Sequence, residues 1–151
     1  MNKTFQSIKE GDTILFTKIS NSKIFTSAEG SVFKTKVKHI VRTCDMKRAS
    51  IAFEQPINGK YSITVELDRN TFISYNTKDE VNLNVEVFGL TKKDVLNSTL
   101  SVINARITQI ESIKKSCDDN IDDLFIAGSI LEVEQEKTEE LSLEEAASMA
   151  L

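Results

Sequence analysis

Val81-Asn82-Leu83-Asn84-Val85-Glu86-Val87 and, four residues on, Thr91-Lys92-Lys93-Asp94 with Leu96, Leu100 and Ile103 behind it decide the fold of this chain. Before Thr91 the apolar side chains recur at every second residue, the period of a strand. After it they recur every three or four, the period of a helix. Thr91 offers a hydroxyl cap and Asp94 a carboxylate three residues on, the pattern of a capping box. The boundary predicts an α+β chain. An N-terminal antiparallel small β-barrel or sandwich fills residues 1–90. A C-terminal helical segment, residues 91–151, holds a long amphipathic helix and an acidic C-terminal tail.

Upstream of the boundary, short apolar runs alternate with turn residues. Thr13 to Ile19 is a first strand, ended by Ser20-Asn21-Ser22, whose short polar side chains favour a turn. Lys23 to Ser27 and Ser31 to Arg42 follow, with Glu29-Gly30 between them. Ala49, Ile51 and Phe53 alternate inward, as do Tyr61, Ile63, Val65 and Leu67. Between them the apolar pattern favours a three-residue loop, Ile57-Asn58-Gly59, which pairs Phe53 with Ile63 and Ile51 with Val65. Thr71 to Tyr75 and Val81 to Val87 complete the set, the latter with Val81, Leu83, Val85 and Val87 inward. Six or seven short strands with turns roughly every 8–12 residues fit a barrel or sandwich.

Downstream, Leu96, Leu100, Ile103, Ile107, Ile110, Ile113 and Cys117 keep helical spacing. A helix from Lys92 to Ser116 would run nearly 40 Å at about 1.5 Å per residue. Leu96, Leu100, Ile103, Ile107 and Ile110 form either an oligomerisation seam, giving a homodimer, or the face packed on the barrel; Lys114 interrupts the seam. Cys117-Asp118-Asp119-Asn120 predicts a helix end. Ile121 to Val133 then form a second helix returning along the first, and Ser142-Leu143-Glu144-Glu145 caps a last one. Asp118 to Asp123 resembles the start of a calcium loop. Asp123 stands where the loop requires glycine, however, and Ser129 where it requires glutamate, so the run reads as an acidic helix N-terminal cap.

At 151 residues the chain suits one domain or one domain with an appendage. Two cysteines, Cys44 and Cys117, give no disulfide framework and fit a reducing compartment. No apolar run reaches the roughly 18 residues of a membrane span, and the first residues lack a signal peptide's apolar core. A cytoplasmic protein is expected, in the host cytoplasm if phage-encoded; Lys outnumbers Arg 15 to 4, a bias that suits an A+T-rich bacterial or phage genome.

Charge is uneven. Residues 1–70 hold 12 Lys and Arg against 7 Asp and Glu, a balance of +5; residues 71–151 hold 7 against 16, a balance of −9. Within the basic half, strand alternation places Lys34, Lys36, Lys38 and Arg42 on one face and Phe33, Val37, His39 and Val41 on the other. With Lys47, Arg48 and Lys60 added, these are the candidate nucleic-acid-binding residues, since lysines on an open face contact phosphate without reading sequence. An ordinary solvated face, or an edge strand guarded by lysines, would carry the same pattern.

No catalytic residues are assigned. His39 is the single histidine and reads as a core residue. A His39–Cys44 nucleophile pair has no third group to orient it. Gly-rich phosphate loops, nucleophile elbows and metal-ligand clusters are missing from the sequence, and no metal or cofactor is expected.

Ile8-Lys9-Glu10-Gly11-Asp12-Thr13-Ile14-Leu15 resembles the opening of SH3-like small barrels of the KOW or Tudor type, over residues 8–67. The resemblance implies a small barrel that works with nucleic acid or its machinery. No aromatic cage can be assigned. Two functions compete. One is a non-enzymatic nucleic-acid-binding module with helical self-association, its acidic segment covering the basic face when no DNA is present. The other is a structural adaptor or inhibitor whose acidic helical half binds a protein partner.

Overall fold

The computed structural model describes residues 3–150, with side chains to residue 140. The chain divides into two compact units, residues 1–108 and 109–151.

The first unit is a nearly closed antiparallel β-barrel. Its strands are β1 (Thr13–Ser20), β2 (Lys23–Ile24), β3 (Phe33–Arg42), β4 (Arg48–Ile57), β5 (Lys60–Glu66), β6 (Thr71–Tyr75) and β7 (Val85–Gly89). They lie in the order β5-β4-β3-β1-β7-β6, with β2 added beside β1. The Gly11-Asp12 turn seats the start of β1. Gly11 takes φ +85°, which glycine adopts without strain, and the Asp12 carboxylate accepts from Lys9 N. The Gly11 amide reaches Val37 O and the Val37 amide reaches Asp12 O, so the turn is tied to β3.

Inward side chains of all the long strands fill the barrel. Ile14, Val37, Ile51, Phe53, Val65 and Phe88 are buried together, and the rings of Phe16, Phe53 and Phe72 gather around Phe88. A second cluster lies outside the barrel wall. Ile19, Val85 and Val87 on β1 and β7 are covered by Val102 and Ile103 of the helix α1 (Lys92–Ala150). Val85 and Val87 therefore face α1, while Glu86 and Phe88 take the barrel side. Strand β7 is buried on both faces, and Val81, expected inward, is 54% exposed in the loop before it.

Thr91 caps the helix as expected, its Oγ1 accepting from the Asp94 amide, while Asp94 Oδ2 accepts from the Thr91 hydroxyl and not, among the described bonds, from the Thr91 amide that a full capping box uses. Thr17 and Thr99 share a buried hydrogen bond of 2.7 Å between β1 and α1, so this buried polar pair is satisfied. Arg106 donates to Asp79 O and Asn82 O and pins the loop before β7. Gly89 lets the helix approach closely: a Cβ there would lie 2.7 Å from Val95 Cγ2.

Two strand registers differ from expectation. Asn58 (φ 55°) and Gly59 (φ 78°) form a two-residue turn with Ile57 opposite Lys60, because both positions accept the positive φ of a type I′ turn. Further along, Ile51 pairs with Ile63 and Ala49 with Val65. A wide irregularity in β4 reconciles the two ends: Phe53–Pro56 face only Tyr61, and Pro56 has no amide to pair. Tyr61, expected inward, is displaced to 70% exposure. In β3, Val37 pairs with Phe53 but His39 with Ala52, leaving Lys38 as the extra residue of a β-bulge. A bulge inverts the facing of the residues that follow it.

The helix is continuous through Cys117–Asn120 and through the segments read as second and third helices. The stretch at Cys117–Asn120 carries neither Pro nor Gly, and Asp and Asn cost at most ~0.7 kcal/mol each in a helix. The Asp118–Asp123 run therefore lies mid-helix and is no N-terminal cap. The expected end at Leu151 and the side chains around Ser142 lie outside the described residues.

Candidate nucleic-acid interface

The bulge at Lys38 sorts the seven candidate cations. Before it, Lys34 and Lys36 are exposed on the outer face of β3, opposite the core side chain Val37. Lys38 is exposed as well. After it, Ile40 turns inward to the core, and His39 and Val41 turn outward. His39 therefore joins the outer face, where its Nδ1 lies 3.0 Å from Glu10 Oε1. It is not a core histidine. Arg42 follows the inversion and leaves the lysine row; its guanidinium donates to Ile8 O at 2.8 Å and Gln6 O at 3.4 Å. It anchors the N-terminal 3₁₀ turn, Phe5–Ser7, to β3.

Lys60 is also committed elsewhere. Its Nζ donates to Ser74 Oγ and to Asn76 Oδ1, bridging the seam between β5 and β6 that backbone pairing leaves open. Asn76 Nδ2 in turn donates to Glu86 Oε2 at 2.6 Å. Glu86 is 1% exposed, and its Oε1 has no hydrogen-bond partner among the described residues.

Lys47 and Arg48 are exposed at the turn between β3 and β4 but border a separate groove, shared with Glu66 and Asp68. Asp45 organises that turn. It accepts from Thr43 Oγ1 and the Lys47 amide, bonds that hold its carboxyl below the usual carboxylate range.

Three of the seven, Lys34, Lys36 and Lys38, thus remain together. Lys34 and Lys36 sit about 6.6 Å apart along the regular part of the strand, and Lys38 follows at the bulge. Glu10 is hydrogen-bonded to His39 and Glu66 is ion-paired with Arg69, and neither described contact engages these lysines. Glu54 and Gln55 border the same shallow groove as Lys34 and Lys36, and the Glu54 carboxylate tempers the positive charge there. On the other side, Lys34 shares a groove with Lys92, Leu96 and the 29–32 loop. Lys92 is not among the cations that strand alternation assigns to this face. Its neighbours Thr91 and Asp94 identify it as part of a capping box, and only the packing of α1 brings it beside β3. Over residues 1–108 there are 16 Lys and Arg and 11 Asp and Glu, a balance of +5.

The five seam candidates separate too. Leu96 borders the β3-side groove, Ile103 packs on the second core, and Ile110 is half-buried, whereas Leu100 and Ile107 are exposed. Val95, Thr99 and Val102, one residue off that stripe, make the buried contact.

Among the described residues no group of His, Cys, Asp or Glu is arranged to hold a metal ion, and no helix is long and apolar enough to cross a membrane. No protein-family model matches the chain, and no match is found among curated proteins or solved structures.

Proposed function

We propose that the barrel unit is a non-enzymatic nucleic-acid-binding module that grips phosphate with the outer face of β3. The observation that carries this reading is the row Lys34, Lys36 and Lys38, exposed and without ion-pair partners among the described residues. Ammonium groups in such a row displace counterions from a polyanion and hold its backbone without reading bases. Lys92 extends the row. The small-barrel architecture fits the KOW and Tudor type, which the Gly11-Asp12 entry resembles. Two free, exposed thiols, Cys44 and Cys117, fit work in a reducing cytoplasm.

The test is a titration of the full chain with two duplexes of unrelated sequence. The parent binds both at low salt, and K34Q/K36Q/K38Q weakens both alike, because phosphate contacts carry no base identity. A variant that binds as the parent does removes the reading from this face. The charge of residues 109–151, 3 Lys against 12 Asp and Glu, favours a second reading: an adaptor or inhibitor whose acidic half engages a basic protein. A parent chain that ignores nucleic acid at low salt gives that reading precedence.

A further inference from the structure

The second unit, taken by itself, is one stretch of α1 whose described side chains are nearly all exposed. Ile121, Leu124, Phe125, Ile126, Ile130, Leu131 and Val133 are each at least half exposed. Single exposed apolar residues need no explanation, but seven within 13 positions of one helix mark a contact surface.

The surface has a period. Ile110, Cys117, Ile121, Leu124 and Leu131 occupy the a and d positions of one unbroken heptad phase, and the intervening core positions are Lys114 and Gly128. Ile126, Ile130 and Val133 form a shorter stripe on the other side. We propose that residues 110–133 of α1 associate with the same segment of at least one further copy of this chain. A heptad seam is self-complementary, since its knobs fit the holes of a like helix. A helix this exposed also draws little stability from its own sequence and is completed by packing.

The area agrees. Six of the seven are aliphatic and no larger than the roughly 150 Å² at the low end for an aromatic side chain, so together they expose on the order of 600 Å², the lower end of what each side of a specific interface buries. The apolar side chains lie on two sides of the helix, so complete burial calls for more than one neighbour. Lys114 at a core position then sets register at some cost in affinity. The acidic groups Asp119, Asp122 and Asp123 lie off the seam, at f, b and c. Their mutual repulsion is screened by salt.

Sedimentation equilibrium of the full chain, from low to high micromolar, tests this. The parent forms dimers or larger assemblies that hold or tighten as salt is raised. L124E/L131E weakens the association by at least about tenfold. Both leucines are exposed in the single chain, so the barrel's melting transition stays unchanged and reports that the variant is folded. A parent that stays monomeric throughout, or a variant that assembles as the parent does, overturns the proposal. Phosphate binding moves oppositely with salt, so the failure of one proposal is distinguishable from the failure of the other.

Discussion

Single residues carry the least forgiving parts of this fold. Gly89 has no need of unusual backbone angles; it is required because a Cβ would meet Val95 Cγ2 at 2.7 Å and Asn70 O at 3.3 Å. Gly89→Ala is expected to lower stability by about 1–3 kcal/mol, the cost of overpacking, measured by urea unfolding. Asn76 has a different burden. It is the described donor to the buried Glu86 carboxylate. Asn76→Ala leaves both carboxylate oxygens without a donor among the described residues and also removes an acceptor of Lys60; a loss of about 2–3 kcal/mol is expected by the same measurement. Neither burden is legible in the sequence. Gly89 reads as a plain residue near a strand end, and Glu86 as the outward member of an alternating strand. Only the packing of α1 on the far side of β7 shows that both faces of that strand are covered.

At the scale of elements, the period change at Thr91 and the box Thr91–Asp94 marked the strand-to-helix boundary, because both signals are local. What depends on backbone irregularity did not show. The bulge at Lys38 inverts the end of β3, so His39 and Arg42 exchange the faces that simple alternation assigns. In β4 the Asn58-Gly59 turn chemistry and the apolar alternation disagree by several residues, and the strand absorbs both through an unpaired stretch. The helix break expected at Cys117–Asn120 failed because polar residues alone do not stop a helix that lacks Pro or a positive-φ residue there. Gly128 offers a check on that continuity. It sits within α1, and a Cβ at this position would meet no atom within 4 Å. Gly128→Ala is expected to raise helix content by circular dichroism and to stabilise the helix by about 0.5–1 kcal/mol; a loss of helix content would contradict an uninterrupted helix.

For the whole molecule, charge and apolar surface are divided between two units. Residues 1–108 carry a balance of +5 with a lysine row that no described ion pair engages, and residues 109–151 carry −9 with exposed apolar stripes. The charge division was legible in composition. The division of the candidate cations was not, since Arg42 and Lys60 are drawn into structural bonds by their distant partners Ile8, Ser74 and Asn76. The phosphate reading therefore stands on Lys34, Lys36 and Lys38, and the salt dependence of duplex binding tests it most directly. Each engaged lysine contributes about −0.9 to the slope of log K against log salt. The parent should weaken steeply with salt, and K34Q/K36Q/K38Q should flatten the slope by about three units with little change in stability. An unchanged slope in the variant, or no binding by the parent at low salt, would contradict the account.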